Sequence, residues 1–346
     1  MSSQKLLDEV TFIRLFLILL LIVFHAFIVY AGGWTEPAGF QTIPAYWWLD
    51  KLSYSFMLET FVFISGYLYA YQRIGLKKLG GGRTLLFSKL KRLILPSIIF
   101  SACYFLMFYR YESIANTLYT LLNGAGHLWF LPMLFWCFLI THLFLKVHIP
   151  ESWRIVILVG LALISFVPFP FRLGNAMYYL LFFYGGYLLW APSHELKYRV
   201  LFNHVIALWC LFLLLFLSLT WLREFIFPDS EIAISGSIYV KAVILGIGNF
   251  CQILYATAGI AALYITALYY SNRHILPGWI VTIGNYCFGI YIFQQFFLQF
   301  LYYKTKVPAI VGAYWLPWIG FAIALFGSFA VSAILLKTKV GRFLIG

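Results

Sequence analysis

Charged residues are scarce in this chain. They make up 10% of its 346 residues, against about 25% in an ordinary soluble domain. Hydrophobic residues reach 63% and mean hydropathy is +0.91, which excludes a water-soluble globule and indicates a polytopic membrane protein. Acids are the rarest charged type, 11 Asp and Glu against 24 Lys and Arg. The resulting charge of +13 does not point to nucleic acid, because the positive residues gather in particular loops and form no basic domain off the membrane. The five cysteines all lie inside apolar segments and form no C-x-x-C pair, so neither a disulfide framework nor a thiolate metal site is indicated, and no metal is expected. Residues 1–10 lack the basic region and small-residue cleavage site of a signal peptide, so the first helix is expected to be retained. Also missing are an internal repeat, a low-complexity linker and a soluble appendage, so one integral membrane domain is expected over 1–346.

What is present is a series of long apolar runs. A spanning helix needs about 20 mainly apolar residues. Ten segments qualify: 12–31, 53–72, 92–109, 128–146, 154–171, 175–191, 202–222, 244–270, 279–301 and 314–336. The fold class is therefore an all-α transmembrane bundle of about ten spans. With the N-terminus placed in the cytoplasm, 17 of the 24 Lys and Arg fall on the inner side and 7 on the outer side, where most of the acids (Glu36, Asp50, Glu112, Glu224, Asp229, Glu231) also lie. Both termini are expected inside.

Few polar residues interrupt these runs, and they are the candidates for chemistry. Arg14 and His25 sit in the first segment with ten apolar residues between them. A titratable group at membrane depth is costly without a task and a partner. An offset of eleven is almost three helical turns, so the two share a face roughly 16 Å apart along the axis. That spacing suits two parts of one long ligand. Glu59, in the antiparallel second segment, is expected at the depth of His25, and a carboxylate beside an imidazole fixes its tautomer, so His25–Glu59 is the expected base–orienter pair. His127 opens the fourth segment near the same depth. It reads either as a contact for an acceptor hydroxyl or reacting carbonyl, or as an interfacial histidine beside Trp129. Gln294 and Gln295 form an unusual pair in the ninth segment, suited to a cavity or to bonding between helices. The loop from Arg73 to Arg92 holds seven Lys or Arg and no acid. Positive-inside bias explains most of it, and a phosphate clamp built on Lys89 and Arg92 is the sharper reading. Trp34, Trp47 and Trp48 suit either sugar stacking or membrane-interface anchoring.

Taken in order, these motifs resemble the acyltransferase-3 family of integral membrane acyltransferases. Arg14-x10-His25 is the most specific. Phe61-x-Phe63-Ile64-Ser65-Gly66-Tyr67 resembles the family's aromatic-rich Ser-Gly segment, with Glu59 at its acidic position. Lys89-Leu90-Lys91-Arg92 is similar to its basic Arg-x-x-Arg element, His127-Leu128-Trp129 to the opening of its fourth helix, and Gly289-Ile290-Tyr291 to its late tyrosine segment. Gln294 stands where many members have histidine. Leu134 stands where the branch fused to an esterase-like domain has glutamate, so the chain resembles the stand-alone branch. The resemblance implies transfer of an acyl group, usually acetyl, from cytoplasmic acyl-CoA to a hydroxyl of a cell-surface glycan or related envelope molecule, in a bacterial cytoplasmic membrane. Acyl-CoA would be a co-substrate, with no permanently bound cofactor; membrane lipids and a polysaccharide acceptor would be the other partners. Arg14, Lys89 and Arg92 would bind the donor, and His25 would act as general base or form an acyl-histidine, oriented by Glu59. His127, Gln294, Ser65 and Tyr291 would serve the oxyanion or the acceptor. Two other functions compete: a transporter or flippase for a glycan or lipid intermediate, with Pro132 and Gly185-Gly186 as candidate helix breaks, and a non-catalytic partner of an envelope-synthesis complex.

Overall fold

The computed structural model describes residues 8–37, 40–78, 81–190, 200–226 and 237–346. Asp229 and Glu231, placed above on the outer side, lie outside them. Among the described residues every element is helical. Helix α1 (Asp8–Phe27) runs into a 3-10 turn (Ile28–Ala31). Then follow α2 (Pro44–Tyr54), α3 (Met57–Ala70) with a π-helical turn at Tyr71–Gly75, and α4 (Gly82–Lys89). A second π-helical turn (Leu90–Ile94) joins α4 to α5 (Leu95–Phe108). Next come α6 (Ile114–Asn123), a 3-10 turn (Gly126–Trp129), α7 (Phe130–Phe144), α8 (Glu151–Leu163) and α9 (Leu173–Leu189). The chain ends with α10 (Phe202–Trp221), α11 (Ile238–Arg273), α12 (Gly278–Lys304), α13 (Val307–Leu335) and α14 (Lys339–Ile345).

Each of the ten expected segments overlaps a helix, though the fifth (154–171) runs past the end of its helix at Leu163, and among the described residues six helical stretches are long and apolar enough to cross a membrane: Asp8–Ala31, Gly82–Phe108, Gly126–Phe144, Phe202–Glu224, Tyr239–Arg273 and Val307–Leu335. The other four differ for separate reasons. Helices α3, α8 and α9 are short, at 14, 13 and 17 residues. Helix α12 has 27 residues, but Asn285, Gln294 and Gln295 lower its hydropathy. The stretch from Ser237 to Tyr270, longer than one span requires, lies in one continuous helix of 36 residues. Helices α2 and α6 interrupt stretches expected to be loops. The basic segment is also helical from Gly82 onward, so Lys89 and Arg92 sit on a helix continuous with α5 rather than at the end of a loop.

The most extensive pairings are α12 with α13, α3 with α9, α10 with α11, and α1 with α12. The α3–α9 crossing is governed by two glycines. A side chain at Gly66 would run into the backbone of Phe183, and one at Gly186 into the backbone of Phe63. Without a hydrophobic drive between helices in lipid, close backbone approach at small residues supplies the attraction. Gly186 is therefore a packing residue rather than a helix break, and Pro132 lies in the first turn of α7, where proline is tolerated. Gly66→Ala or Gly186→Ala should cost about 1–3 kcal/mol by overpacking. Gly185→Ala, whose added carbon would meet only Phe63 at 4.0 Å, should be close to neutral in the same thermal denaturation in detergent.

Asp50 on α2 is buried, and its Oδ1 has no hydrogen-bond partner. Burial pushes its carboxyl from the ordinary 3.8 up to about 7, with neighbouring Lys51 opposing the shift. An acid whose folded-state pKa is raised contributes stability that is complete below its unfolded pKa and is lost as pH rises through the folded one. Asp50→Asn should therefore match wild type in melting temperature at about pH 4 and exceed it at about pH 8. Equal melting temperatures at both would disprove the burial effect.

Candidate active site

Two turns rich in glycine shape the surroundings of the two histidines. At the end of α1, Gly32 adopts a left-handed conformation (φ 75°), and the Gly33 N–H bonds the Ile28 carbonyl at 3.0 Å. The chain reverses there, and Trp34 folds back over His25, the ring centroids 6.1 Å apart and 15° from parallel. Before α7, Gly124 (φ 80°) and Gly126 (φ 54°) turn the chain into the bundle. Ser101 Oγ accepts from the Ala125 N–H at 2.9 Å, and Arg172 Nε donates to the Asn123 carbonyl at 2.9 Å, which anchors that turn. His127 follows and is buried, with its ring 5.9 Å from that of His25.

Helix α12 holds both. Consecutive residues on a helix point about 100° apart, so two adjacent glutamines reach different neighbours. The Gln294 amide lies 2.9 Å from His25 Nδ1, and Gln295 Oε1 accepts from the His127 backbone N–H at 2.8 Å. Tyr291, one turn earlier, donates its hydroxyl to the His127 carbonyl at 2.8 Å. The His127 ring donates through Nε2 to the Ile292 carbonyl at 3.0 Å, so the neutral ring presents a lone pair at Nδ1. That atom is buried without a hydrogen-bond partner, as is the far end of the Gln294 amide. A glutamine amide can present either end to a histidine. With its oxygen toward Nδ1–H, the Nε2 atom of His25 is free as a base and the two amide N–H groups are free to donate.

The expected His25–Glu59 pair is not formed, and Gln294 takes that place. Glu59 is buried, but its Oε1 accepts from Tyr178 of α9 at 3.2 Å and from Gln252 of α11 at 3.1 Å. The expectation rested on α1 packing chiefly against the next long antiparallel helix. In the fold α1 packs more extensively on α12 than on α3, while α3 is drawn to α9 by the glycine crossing.

Below the histidines lies a cavity of about 400 Å³. Arg14, Lys89 and Arg92 line it, and so do Ser65 and Tyr291. Among the described residues no carboxylate lies within salt-bridge distance of the three cations. Lys89 Nζ sits over the Phe138 ring, 3.6 Å from its centroid. The π-helical turn at Leu90–Ile94 falls on Arg92, and such turns recur at functional sites. Ser65 is a modest contributor, because its hydroxyl already donates to the Phe61 carbonyl at 2.8 Å. Toward the histidines the walls become apolar, with Leu21, Leu58, Phe61 and Phe130, and Leu21 lies one turn from His25. The cavity thus unites Arg14, Lys89, Arg92, Ser65 and Tyr291, with Tyr291 linking it to the histidine pair. Asn285 and Cys287 also line it and were not singled out from sequence. For Cys287 its spacing from Tyr291 was the available signal, since residues 284, 287, 288 and 291 follow one helical face.

An all-helical integral membrane protein, with a cation-lined cavity leading to a buried histidine pair, is the class these features define. A family model described as an acyltransferase domain matches residues 7–337, nearly the whole length, and the chain belongs to this acyltransferase-3 family. Searches among curated proteins and among solved structures return no match.

Replacing Gln295 with leucine would leave the buried His127 N–H without its acceptor, at a cost of about 1–3 kcal/mol. The expected readout is a lower melting temperature together with faster amide hydrogen exchange confined to Gly126–Trp129. Unchanged exchange there would show that Gln295 does not hold the turn.

Proposed function

We propose that the protein is a membrane-embedded O-acyltransferase that moves an acetyl group from cytoplasmic acetyl-CoA to a hydroxyl of a cell-surface glycan or related envelope molecule. The observation that carries this reading is the polarity of the cavity. Three cations that have no carboxylate partner among the described residues line it, and its apolar walls lead to Tyr291 and the histidine pair. Positive-inside bias assigns the cation end to the cytoplasm, where acyl-CoA is found. Phosphate groups of the donor suit Arg14, Lys89 and Arg92 through charge-assisted hydrogen bonds. The neutral pantetheine arm suits the apolar part, which brings the thioester toward His25.

His25 then acts as general base. Its Nε2 takes the proton of the acceptor hydroxyl as the oxygen attacks the thioester carbonyl. The Gln294 oxygen accepts from Nδ1–H and keeps that tautomer, and the freed amide N–H groups donate to the oxyanion that forms. The carbon–sulfur bond breaks, and the departing thiolate takes the proton from His25. The lone pair at His127 Nδ1 suits an acceptor hydroxyl better than an oxyanion, because in that tautomer the atom has no proton to donate. Glu59, bonded to Tyr178 and Gln252, forms a buried polar group apart from His25. Transport has less support, since Gly186 and Pro132 serve packing and a helix start.

The test uses purified protein in nanodiscs with radiolabelled acetyl-CoA. His25→Ala should lower thiol release by about 10²–10⁴-fold while donor binding persists. Arg14→Ala should weaken donor binding about tenfold or more, the worth of a charge-assisted hydrogen bond. Well-folded wild type that binds neither acetyl-CoA nor succinyl-CoA would overturn the reading.

A further inference from the structure

The end of the bundle opposite the basic cavity carries a second depression, of about 840 Å³, between the Gly33–Pro37 stretch after α1 and the bend joining α12 to α13. Its lining is of mixed character: Trp34 and Tyr303 offer aromatic surface, Gln299 and Thr305 neutral hydrogen-bonding groups, and Glu36 and Lys306 one charge of each sign. A site for an anionic ligand would be dominated by cations, and a lipid-tail groove would lack these polar groups. Aromatic surface beside neutral donors and acceptors matches a polyhydroxylated ring, which presents C–H groups on its faces and hydroxyls at its rim. The volume lies within the range of about 300–1,000 Å³ common to small-ligand sites.

Trp34 ties this depression to the chemistry. It lines the depression, and its ring lies nearly parallel to that of His25 at 6.1 Å. Tyr302 and Tyr303 meet it edge-on at 6.1 and 6.3 Å. The Tyr303 hydroxyl donates to the Thr35 carbonyl at 2.7 Å and the Tyr302 hydroxyl to the Ala26 carbonyl at 2.6 Å, so the Trp34 turn is pinned to α12. Trp47 and Trp48 are different. They pack on each other at 4.9 Å, with Lys51 over Trp47, an arrangement suited to the membrane interface. Trp48 also meets buried Phe216 edge-on at 6.1 Å; only Trp34 of the three has a histidine ring as a partner.

We infer that this depression binds the acceptor as a saccharide, with Trp34 the platform that brings a sugar hydroxyl to His25. The inference deepens the acyltransferase reading and rests on it for what happens to the sugar, though not for where the sugar binds. It makes the two cavities complementary, the donor reaching the histidine pair from the cation end and the acceptor from the aromatic end.

Site-specific labelling tests the binding separately from the reaction. Thr35→Cys, in the depression, and Ser65→Cys, in the basic cavity, are placed singly in the full chain in nanodiscs. Labelling by a maleimide is read at the peptide level. The probes are maltotriose and chitotriose as free saccharides, dodecyl maltoside as a membrane-anchored one, and acetyl-CoA. Saccharide is expected to protect position 35 and not position 65, and acetyl-CoA the reverse. Whichever saccharide form protects at the lower concentration shows whether the sugar arrives free or lipid-anchored. Added to Thr35→Cys, Trp34→Ala should raise the half-protecting saccharide concentration about tenfold, and Trp34→Phe by no more than about threefold. No protection at position 35 by any saccharide, or protection unchanged by Trp34→Ala, overturns the inference. Thiol release from acetyl-CoA by wild type without protection at position 35 would leave the acyltransferase reading standing and this one fallen. Saccharide protection without thiol release would do the opposite.

Discussion

The adjacent amides of Gln294 and Gln295 on α12 are the contact on which the centre of this protein depends. Inside a membrane a polar group has no water to turn to, so each one must find a partner within the protein. One amide takes His25 of α1 and the next takes the backbone of His127 at the start of α7, and Tyr291 adds a second bond to that turn. Three separate parts of the chain are thereby held at one point. What the amides leave unsatisfied is as informative as what they satisfy. One end of Gln294 and Nδ1 of His127 are both buried and lack hydrogen-bond partners, in two side chains that each meet His25. Unmet hydrogen-bonding capacity in a membrane interior is costly, and a reacting polar group placed between the histidines would meet it.

Around that centre the bundle separates ligand chemistry by position. Three cations with no carboxylate partner among the described residues line one cavity, and aromatic and neutral polar groups, with one charge of each sign, line the depression at the other end. The three cations keep away from the histidines, where charge would be hardest to solvate. In the proposed reaction only the neutral acyl group needs to occupy the low-dielectric centre, and the phosphate charges of the donor stay with Arg14, Lys89 and Arg92.

Rigid packing supports this arrangement. The Gly66 and Gly186 crossing locks α3 against α9 at backbone contact, and that choice of partner turns Glu59 toward Tyr178 and Gln252. A helix pair in such contact has little room to rock, which suits a fixed reaction site better than alternating access. The same crossing leaves α1 free to lay its long face along α12.

Much of this was legible in the residues themselves. Apolar runs pointed to a helix in each of the ten expected segments, six of them on stretches long and apolar enough to span, because hydropathy over about 20 residues is read without knowing the neighbours. The eleven-residue offset of Arg14 and His25 placed both on one face, because helical period is a property of the backbone alone. The motifs that resembled the acyltransferase-3 family led to the family the chain belongs to. The partner of His25 was not legible. Periodicity tells which residues share a face of one helix and says nothing of which other helix meets that face. That choice belongs to the packing of the whole bundle, through glycine contacts between α3 and α9 and turns at Gly32 and Gly126 that only the folded chain brings together. The sequence alone determined a membrane bundle with a basic residue and a histidine on one line; tertiary structure decided that an amide rather than a carboxylate holds the histidine, and that Trp34 lies against it. The physical reason is that short-range geometry is encoded locally, whereas hydrogen-bond partners across helices are chosen by the arrangement that satisfies the most buried polar groups at once.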